Sequence, residues 1–302
     1  MVGLDNKKKV VVIGGLSTDK SHQTDYKTPL SSYFSTKNVE FTEIRLDSLV
    51  FSVSNEKFEI IDWTTKEPLS SYDFVMIRGK FYDNADCTFT ISRYLLLNKI
   101  PFFNDYSTYR PISKLAQAAI FFENKLSFIP TYYSLNKKYL VDFIENKLQF
   151  PLVIKDSYGA HGNNNYVVKS IEDINRILDN DHDIKFVAQP YYPNDGDFRV
   201  LVIGDQQPLV IKRIAKPDTH LNNTSQGGVA ELAQDYLPQE VIDGSKIITK
   251  YLNMTVAGVD VIEDNRNGKF YFLEVNSQPQ LVTGAFVDEK FKLLAKLLTN
   301  SS

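Results

Sequence analysis

Short apolar runs that end in glycine or a charged residue characterise the first hundred residues. The run at residues 9–13 is followed by Gly14 and Gly15, which predicts a buried parallel strand that ends in a tight turn. Similar runs at residues 74–77 and 100–104 predict two more short strands. This pattern predicts a small α/β lobe at the start of the chain.

After Pro111 the apolar residues recur at helical rather than strand spacing. The spacing predicts an amphipathic helix that runs to about Leu126, with Lys114 near its start. The positions that define its apolar stripe are Leu115, Ala118, Ala119 and Phe122.

The rest of the chain alternates short β segments with three further helices. Strand patterns cover residues 152–155, 166–169, 185–191, 198–203 and 208–214, and a last hairpin covers residues 256–276. Helical patterns cover residues 170–178, 238–251 and 288–298. Strands joined by short turns pair antiparallel, so the expected class is α/β with an α+β second half.

Composition and charge exclude several classes of protein. The 302 residues are 43% hydrophobic and 24% charged, which is typical of a folded chain, and they are enough for two or three subdomains. The net charge of -3 provides no overall field that would attract nucleic acid or an anionic membrane. A single cysteine, Cys87, and the lack of a long apolar run predict a cytoplasmic protein with no membrane segment.

The last hairpin carries the most informative polar residues. Its turn signal, Asn267 followed by Gly268, places Asp260 about opposite Glu274. Since side chains alternate along a strand, Asn276 shares the face of Glu274, while Leu273 and Val275 are expected to point into a core. Two facing carboxylates repel unless a cation lies between them, and oxygen ligands of this kind suit Mg²⁺.

A lysine before a glycine-rich loop forms the second candidate group. Lys155 ends an apolar strand and is followed by Gly159, His161 and Gly162. Glycines free backbone N–H groups to point at an anion, and the lysine adds a positive charge. The segment predicts a phosphate-binding loop, although an ordinary surface loop has the same composition.

A cationic strand pair and a polar loop follow. Arg199, Lys212 and Arg213 lie on two strands joined by a short turn, and Asp197 is available as a pairing partner. The stretch 222–228 ends in paired glycines and is able to approach a ligand closely.

The order of these pieces resembles the ATP-grasp superfamily, in its glutathione synthetase and RimK-like carboxylate-amine ligase branch. The resemblance is strongest from Phe150 onward, and it is carried by ISKLAQ, PLVIKDSYGAHG, FVAQPYY, DFRVLVIGD, IKRIA, NTSQGG, AGVDVIED and FLEVNSQPQL. It implies an ATP-grasp fold behind an N-terminal Rossmann-like pre-ATP-grasp domain. The expected boundaries are residues 1–108 for that domain, 109–188 for the lid subdomain and 189–302 for the subdomain with the metal site.

The resemblance also implies roles for individual residues. Lys114 and Lys155 match the lysines that contact ATP phosphates, and Gly159, His161 and Gly162 belong to the lid over them. Asp260, Glu274 and Asn276 match ligands of two Mg²⁺ ions, with Mn²⁺ as an alternative, while Arg213, Lys155 and Asn223 are the catalytic candidates. The remaining nucleotide-contacting candidates are Gln189, Pro190, Tyr191, Asp197 and Arg199.

Two positions depart from the family pattern. Pro190 follows Gln189 where many RimK-like members have Glu, so we expect the N–H of Tyr191 to donate to adenine instead. Gln280 replaces a glycine in the ending EVNxxPGL, beside the expected acceptor site, and this leaves the acceptor open. Arg78, at the end of an N-terminal strand, is either a clamp for a substrate carboxylate or part of a surface salt bridge.

The expected activity is ADP-forming ligation of a carboxylate to an amine through an acyl phosphate. The partners would be ATP, a carboxylate and an amine of small-molecule or peptide origin, with the oligomeric state open. Three alternatives stay open: an ATP-grasp phosphotransferase, a non-catalytic nucleotide-binding regulator, and a dinucleotide-dependent oxidoreductase built on Gly14 and Gly15.

Overall fold

The structure is a computed structural model that describes residues 7–14, 24–79, 84–108, 113–159, 164–180, 184–214 and 229–300. Several predicted positions lie outside this part of the chain, namely Gly15, Pro111, His161, Gly162 and Asn223. Among the described residues, no helix has the length and apolar character needed to cross a bilayer.

The N-terminal part contains a parallel sheet and a small antiparallel one. Its elements are β1 (Lys8–Gly14), α1 (Lys27–Phe34), β2 (Val39–Arg45), β3 (Leu49–Val53), β4 (Phe58–Asp62), β5 (Glu67–Pro68), β6 (Phe74–Arg78), α2 (Ala85–Leu97) and β7 (Phe102–Phe103). The parallel sheet has the order β2-β1-β6-β7 and the antiparallel one the order β3-β4-β5. β1 is apolar throughout its centre because it has a strand on each side and a core on each face.

The middle part consists of a three-stranded antiparallel sheet and three helices. Its elements are α3 (Lys114–Glu123), α4 (Lys137–Lys147), β8 (Leu152–Asp156), β9 (Asn165–Val168), α5 (Ile171–Asn180) and β10 (Phe186–Pro190). The sheet order is β10-β8-β9. The predicted hairpin with a long loop is confirmed, since β8 and β9 pair antiparallel on either side of that loop.

The predicted apolar stripe of α3 is wrong in detail. Leu115, Ala119 and Phe122 are exposed, whereas Gln117, Ala118 and Phe121 face the interior. Helical spacing alone cannot say which of two overlapping stripes is buried. The choice depends on the strand against which the helix packs.

The C-terminal part is a five-stranded antiparallel sheet flanked by two helices. Its elements are β11 (Asp197–Ile203), β12 (Leu209–Ile214), β13 (Val229–Leu232), α6 (Gln239–Tyr251), β14 (Val256–Asp264), β15 (Lys269–Asn276) and α7 (Val287–Asn300). The order is β13-β12-β11-β14-β15, so β11 and β14 are central. α6 packs on one face of this sheet, and α7 and the N-terminal part pack on the other.

One hydrophobic core joins the first and last parts of the chain. Val10 and Phe74 from the parallel sheet share a buried cluster with Leu201, Ile211 and Leu294 from the C-terminal part. The boundaries at residues 108/109 and 188/189 stay a prediction. The shared core packs the N-terminal parallel sheet against the C-terminal sheet. Arg78, at the end of β6, contacts Pro279 in the segment after β15.

Candidate active site

The two carboxylates of the last hairpin lie opposite each other. Asp260 on β14 pairs with Glu274 on β15, and the four-residue turn between the strands ends at Gly268, whose φ of 66° favours glycine. Val275 is buried in the core, as expected. Leu273 is not, because a β-bulge leaves it unpaired and returns Phe272 to the core face instead.

Asp260 is held by Arg199 from the neighbouring strand β11 and by Arg213 from β12, the strand beyond it. Arg199 forms a bidentate pair with it, with Nη2 2.9 Å from Oδ2, and Arg213 Nη2 lies 3.2 Å from Oδ1. Burial would raise the pKa of Asp260, but Arg199 and Arg213 outweigh burial and hold the pKa below its usual range. Asp260 is therefore an ionised carboxylate in the interior.

Asp197 pairs with the same arginine from the other side. Arg213 donates to its carboxylate through Nε and Nη2 at 2.6 Å and 2.7 Å. Burial raises the pKa of Asp197 to about 6, although Arg213 acts against this shift. Two carboxylates, those of Asp197 and Asp260, thereby fix the orientation of the Arg213 guanidinium.

Asn276 connects the two carboxylates of the hairpin. Its Nδ2 lies 3.2 Å from Asp260 Oδ2 and 3.0 Å from Glu274 Oε1, so two acidic oxygens converge on one electropositive group. Among the described residues, no group of three or more His, Cys, Asp or Glu side chains could hold a metal ion. The donor set of two carboxylates and one amide nevertheless fits Mg²⁺ in its chemistry, because an amide turned by 180° would present its oxygen.

Two lysines lie close to these carboxylates. Lys114 Nζ is 3.6 Å from Glu274 Oε2 and donates to the carbonyl of Gly159 at 2.7 Å. Burial, followed by the charge of Lys114, lowers the pKa of Lys155 to about 8, and Glu274 and Asp260 partly offset this. The lysine pair thus lies within electrostatic reach of the hairpin carboxylates.

β10, which ends in the adenine-contacting candidates Gln189 and Pro190, is held by hydrogen bonds that the sequence did not indicate. Gln189 donates to Thr131 Oγ1 at 2.7 Å, and its own strand pairs with β8. The N–H of Tyr191 donates to Pro151 O at 3.1 Å, so this N–H is not free for adenine, contrary to our expectation. The assignment of Gln189, Pro190 and Tyr191 to adenine stays a prediction.

Lys212 does not belong to the cationic group in which we had placed it. Its Nζ lies over the rings of Phe198 and Tyr236, 5.6 Å and 5.5 Å from their centroids. Adjacent residues of a strand point to opposite faces, so Lys212 and Arg213 could not both face Asp260.

Arg78 is buried, which excludes the surface salt bridge. Only 2% of it is exposed, and its Nη2 donates to the carbonyl of Pro279. Its Nε and Nη1 have no hydrogen-bond partner among the described residues. Gln278 also reaches the N-terminal part, where it donates to Ile77 O at 3.2 Å.

Two residues that position the site were missed. Gln117 on α3 donates to Val275 O at 3.1 Å and accepts from Val275 N at 2.8 Å, between Glu274 and Asn276. Gly258 lies under Arg199, where a Cβ would come within 2.7 Å of its Cδ. The only signal for Gly258 was a glycine inside a strand, which often indicates a close approach.

Comparison with known proteins gives this site a context. The model of the RimK-like ATP-grasp domain matches residues 112–299. An enzyme of Pseudomonas putida (strain GB-1) named "Probable alpha-L-glutamate ligase" is 26% identical over 220 residues, 71% of each chain.

Solved structures share the fold across almost the whole chain. A Chryseobacterium gregarium RiPP-associated ATP-grasp ligase in complex with ADP and a leader and core peptide has a TM-score of 0.70 at 16% identity, covering 98% of this chain and 97% of that one. The ATP-grasp ligase PsnB complexed with minimal precursor, Mg and ADP has a TM-score of 0.67 at 15% identity, covering 96% and 98%. The matched domain spans more than half of the chain and includes every described candidate except Arg78, and on this ground the protein belongs to the RimK-like ATP-grasp ligase family.

Proposed function

We propose that the protein activates a substrate carboxylate as an acyl phosphate in the space between the β14–β15 hairpin and the lysine pair. As a RimK-like ATP-grasp ligase it is an ATP-dependent carboxylate-amine ligase. The observation that carries the proposed site is the pairing of Asp260 with Glu274, bridged by Asn276 and faced by Lys114 and Lys155.

In this proposal each cluster has one task. Asp260, Glu274 and Asn276 would hold Mg²⁺, which when bound offsets charge on the nucleotide phosphates. Lys114 and Lys155 bind those phosphates together with the glycine-rich segment of Gly159, His161 and Gly162, and Gln189 to Tyr191 border the adenine. The number of ions and the use of Mn²⁺ stay predictions, as do the role of Asn223, a cytoplasmic location and a homo-oligomer.

The reaction consists of two displacements. A carboxylate oxygen of the substrate attacks the γ-phosphorus of ATP, the bond to the β–γ bridging oxygen breaks, and ADP leaves. The amine then attacks the acyl carbon, phosphate leaves with the electron pair of the C–O bond, and the amine loses a proton to solvent. Arg213 lies where it can stabilise charge on the transferred group, because Asp197 and Asp260 hold its guanidinium in place.

Two classes of acceptor suit this scheme. The curated relatives are named for ligation of glutamate, and the structural neighbours hold precursor peptides. We propose that the amine and the carboxylate belong to amino acids, either free or within a peptide.

The test is ADP release from Mg·ATP with a panel of carboxylate and amine pairs. We expect turnover that requires both substrates, and we expect Lys155→Met and Glu274→Gln to lower kcat/KM by about 100-fold or more, because the first removes a positive charge beside the transferred phosphate and the second weakens a candidate Mg²⁺ ligand. Glu263→Gln is the matched control, since Glu263 lies on the same hairpin and accepts from Tyr236 OH at 2.7 Å. It should retain full turnover.

Three results would reject the proposal or change it. ADP release without any amine would indicate a phosphotransferase. Unchanged turnover in both variants would show that this site takes no part in the reaction. A wild-type protein that binds Mg·ADP but turns over no pair would support a regulator.

A further inference from the structure

A small cavity lies beside Arg199 and Arg213. Its volume is about 40 Å³, enough for a group of a few atoms such as a carboxylate. None of Lys114, Lys155, Glu274 and Asn276 lines it. Its polar lining consists of Arg199, Arg213, Gln280 and Lys290.

Lys290, in the first turn of α7, is a buried cation in this cavity. It is only 4% exposed, and its Nζ donates to the carbonyl of Thr283 at 2.9 Å. Within the described part of the chain it forms no salt bridge, and the only charge that shifts its pKa is the like charge of Arg199. A buried ammonium group without an acidic partner is costly, so it indicates a bound anion that the described residues do not supply.

Gln280 lies beside this lysine because Gly284 leaves space for it. Gly284 has a φ of 76°, and a Cβ there would come within 2.6 Å of Gln280 Oε1 and 3.8 Å of Lys290 Nζ. The side chain at position 280, where the family ending EVNxxPGL has glycine, is therefore adjacent to the lysine. It brings an amide donor to the same cavity.

The charges around the cavity do not balance. Arg199, Arg213 and Lys290 contribute three positive charges, and the two carboxylates that contact the arginines, Asp197 and Asp260, are both bonded to them. The positive charge of Lys290 therefore has no compensating carboxylate among the described residues. The apolar side chains of Leu201, Ile211, Ala230 and Ala285 complete the wall, and they suit methylene groups rather than a hydrated phosphate.

We propose that Lys290, with Arg199 and the amide of Gln280, anchors a second, non-reacting carboxylate of the substrate. We assign the cavity to a carboxylate other than the reacting one, because the lysine pair, Glu274 and Asn276, which would contact the transferred phosphate, do not line it, although Arg213 borders both. The enzyme would therefore select substrates with two carboxylates a few carbon atoms apart. This inference rests on the proposed function, because it assigns the phosphate to the lysine pair.

The test measures binding to the full-length protein in the presence of Mg·ADP. The probes for free diacids are succinate, glutarate, aspartate and glutamate, each compared with its ω-monoamide. The probes for peptide-borne carboxylates are acetyl-Glu-Glu-amide, acetyl-Glu-Gln-amide and acetyl-Gln-Glu-amide. Calorimetric titration gives Kd for each probe, and the two arms separate a small-molecule substrate from a peptide.

We expect at least one diacid to bind the wild type tenfold or more tightly than its monoamide. Lys290→Met should abolish this preference by weakening the diacid about tenfold, with monoamide and Mg·ADP affinities within twofold of wild type. Lys290→Arg should restore part of the preference. The matched control is Lys292→Met on the same helix, since Lys292 is 64% exposed and pairs with Glu289, and it should bind all probes like the wild type.

The inference is overturned if the wild type binds Mg·ADP and no diacid in either arm is preferred over its monoamide. It is also overturned if Lys290→Met keeps the preference, or if it weakens diacid, monoamide and Mg·ADP equally, since the lysine would then be only structural. A wild type that does not bind Mg·ADP would reject the proposed function and this inference together.

Discussion

Single residues at this site are held by charge more than by packing. Arg199 and Arg213 reach Asp260 from a neighbouring strand and the strand beyond it, and Gly258 leaves the space that Arg199 crosses. A carboxylate with two guanidinium partners stays ionised in an interior that would otherwise favour its neutral form. Lys290 is the opposite case, because burial and Arg199 both lower its pKa.

At the residue scale we predict that Lys290→Met stabilises the protein at neutral pH by about 1–3 kcal/mol, measured by urea unfolding. The pKa of Lys290 is about 8 in the folded state against 10.5 for the unconstrained side chain. Below pH 8 both states are protonated, so the folded state bears the full cost of the buried charge. That cost shrinks as the pH rises from 8 to 10.5, where both states become neutral.

The gain of the variant over the wild type should therefore fall across that pH range. Lys292→Met, at an exposed lysine, should change the free energy of unfolding by less than about 0.5 kcal/mol throughout. A gain for Lys290→Met that does not depend on pH would show that packing, and not charge, is responsible.

At the scale of elements, the β-bulge at Leu273 and the side chain of Gln117 on α3 determine how β15 orients the candidate metal ligands Glu274 and Asn276. Leu273 is the extra residue, and it lets Phe272 and Val275 both face the core while Glu274 and Asn276 face the site. Gln117 then bonds both backbone groups of Val275, at the open edge of the sheet. The spacing of the candidate metal ligands thus depends on a helix more than 150 residues earlier in the chain.

We predict that Gln117→Leu lowers the free energy of unfolding by about 2–4 kcal/mol, because it leaves the buried N–H and C=O of Val275 without partners. It should also weaken Mg·ADP binding several-fold, measured by calorimetry, since β15 would no longer be held against α3. The matched control is Gln239→Leu, whose side chain bonds Asp243 on the exposed face of α6 and should matter little. Unchanged affinity in Gln117→Leu would mean that the bulge alone positions Glu274 and Asn276.

At the scale of the whole molecule, the N-terminal part is joined to the five-stranded C-terminal sheet by a shared hydrophobic core and by the buried amide of Asn104. Asn104 is completely buried, donates to Val256 O and Ser277 O at 2.8 Å and 2.9 Å, and accepts from Val256 N at 2.8 Å. Arg78 and Gln278 make further contacts between the same two regions. The bonds to Ser277 and Pro279 end in the segment that leads from β15 to Gln280, so docking of the two parts also shapes the proposed carboxylate cavity.

We predict that Asn104→Leu lowers the free energy of unfolding by about 2–4 kcal/mol, since three buried backbone groups lose their partner. Urea unfolding followed by circular dichroism measures this loss. Asn98→Leu is the control, because Asn98 is exposed and bonds only within its own helix end. Equal stability of the two variants would show that the hydrophobic cluster alone holds the parts together.

The sequence by itself determined many of the elements and the hairpin that carries the two carboxylates. Periods of two and 3.6 residues predicted β8 to β12, the β14–β15 hairpin and helices α5 to α7, whereas α1, α2, α4 and β2 to β5 were not predicted. The Asn267–Gly268 turn brings Asp260 and Glu274 close together, and the bulge between Asp260 and Val261 makes them direct partners. Features that depend on neighbours along the chain or across one tight turn are within reach of the local pattern, and the bulge is not.

Only the tertiary structure decided which partners those residues meet. The pairing of Asp260 with two arginines, the exclusion of Lys212, the bulge at Leu273 and the burial of Lys290 all depend on elements distant in sequence. The spacing of apolar residues indicates on which face of a helix or strand a side chain lies, but it does not indicate which residues pack against that face. The electrostatics of the site arise from that second choice, because the energy of a buried charge is set by the groups that surround it.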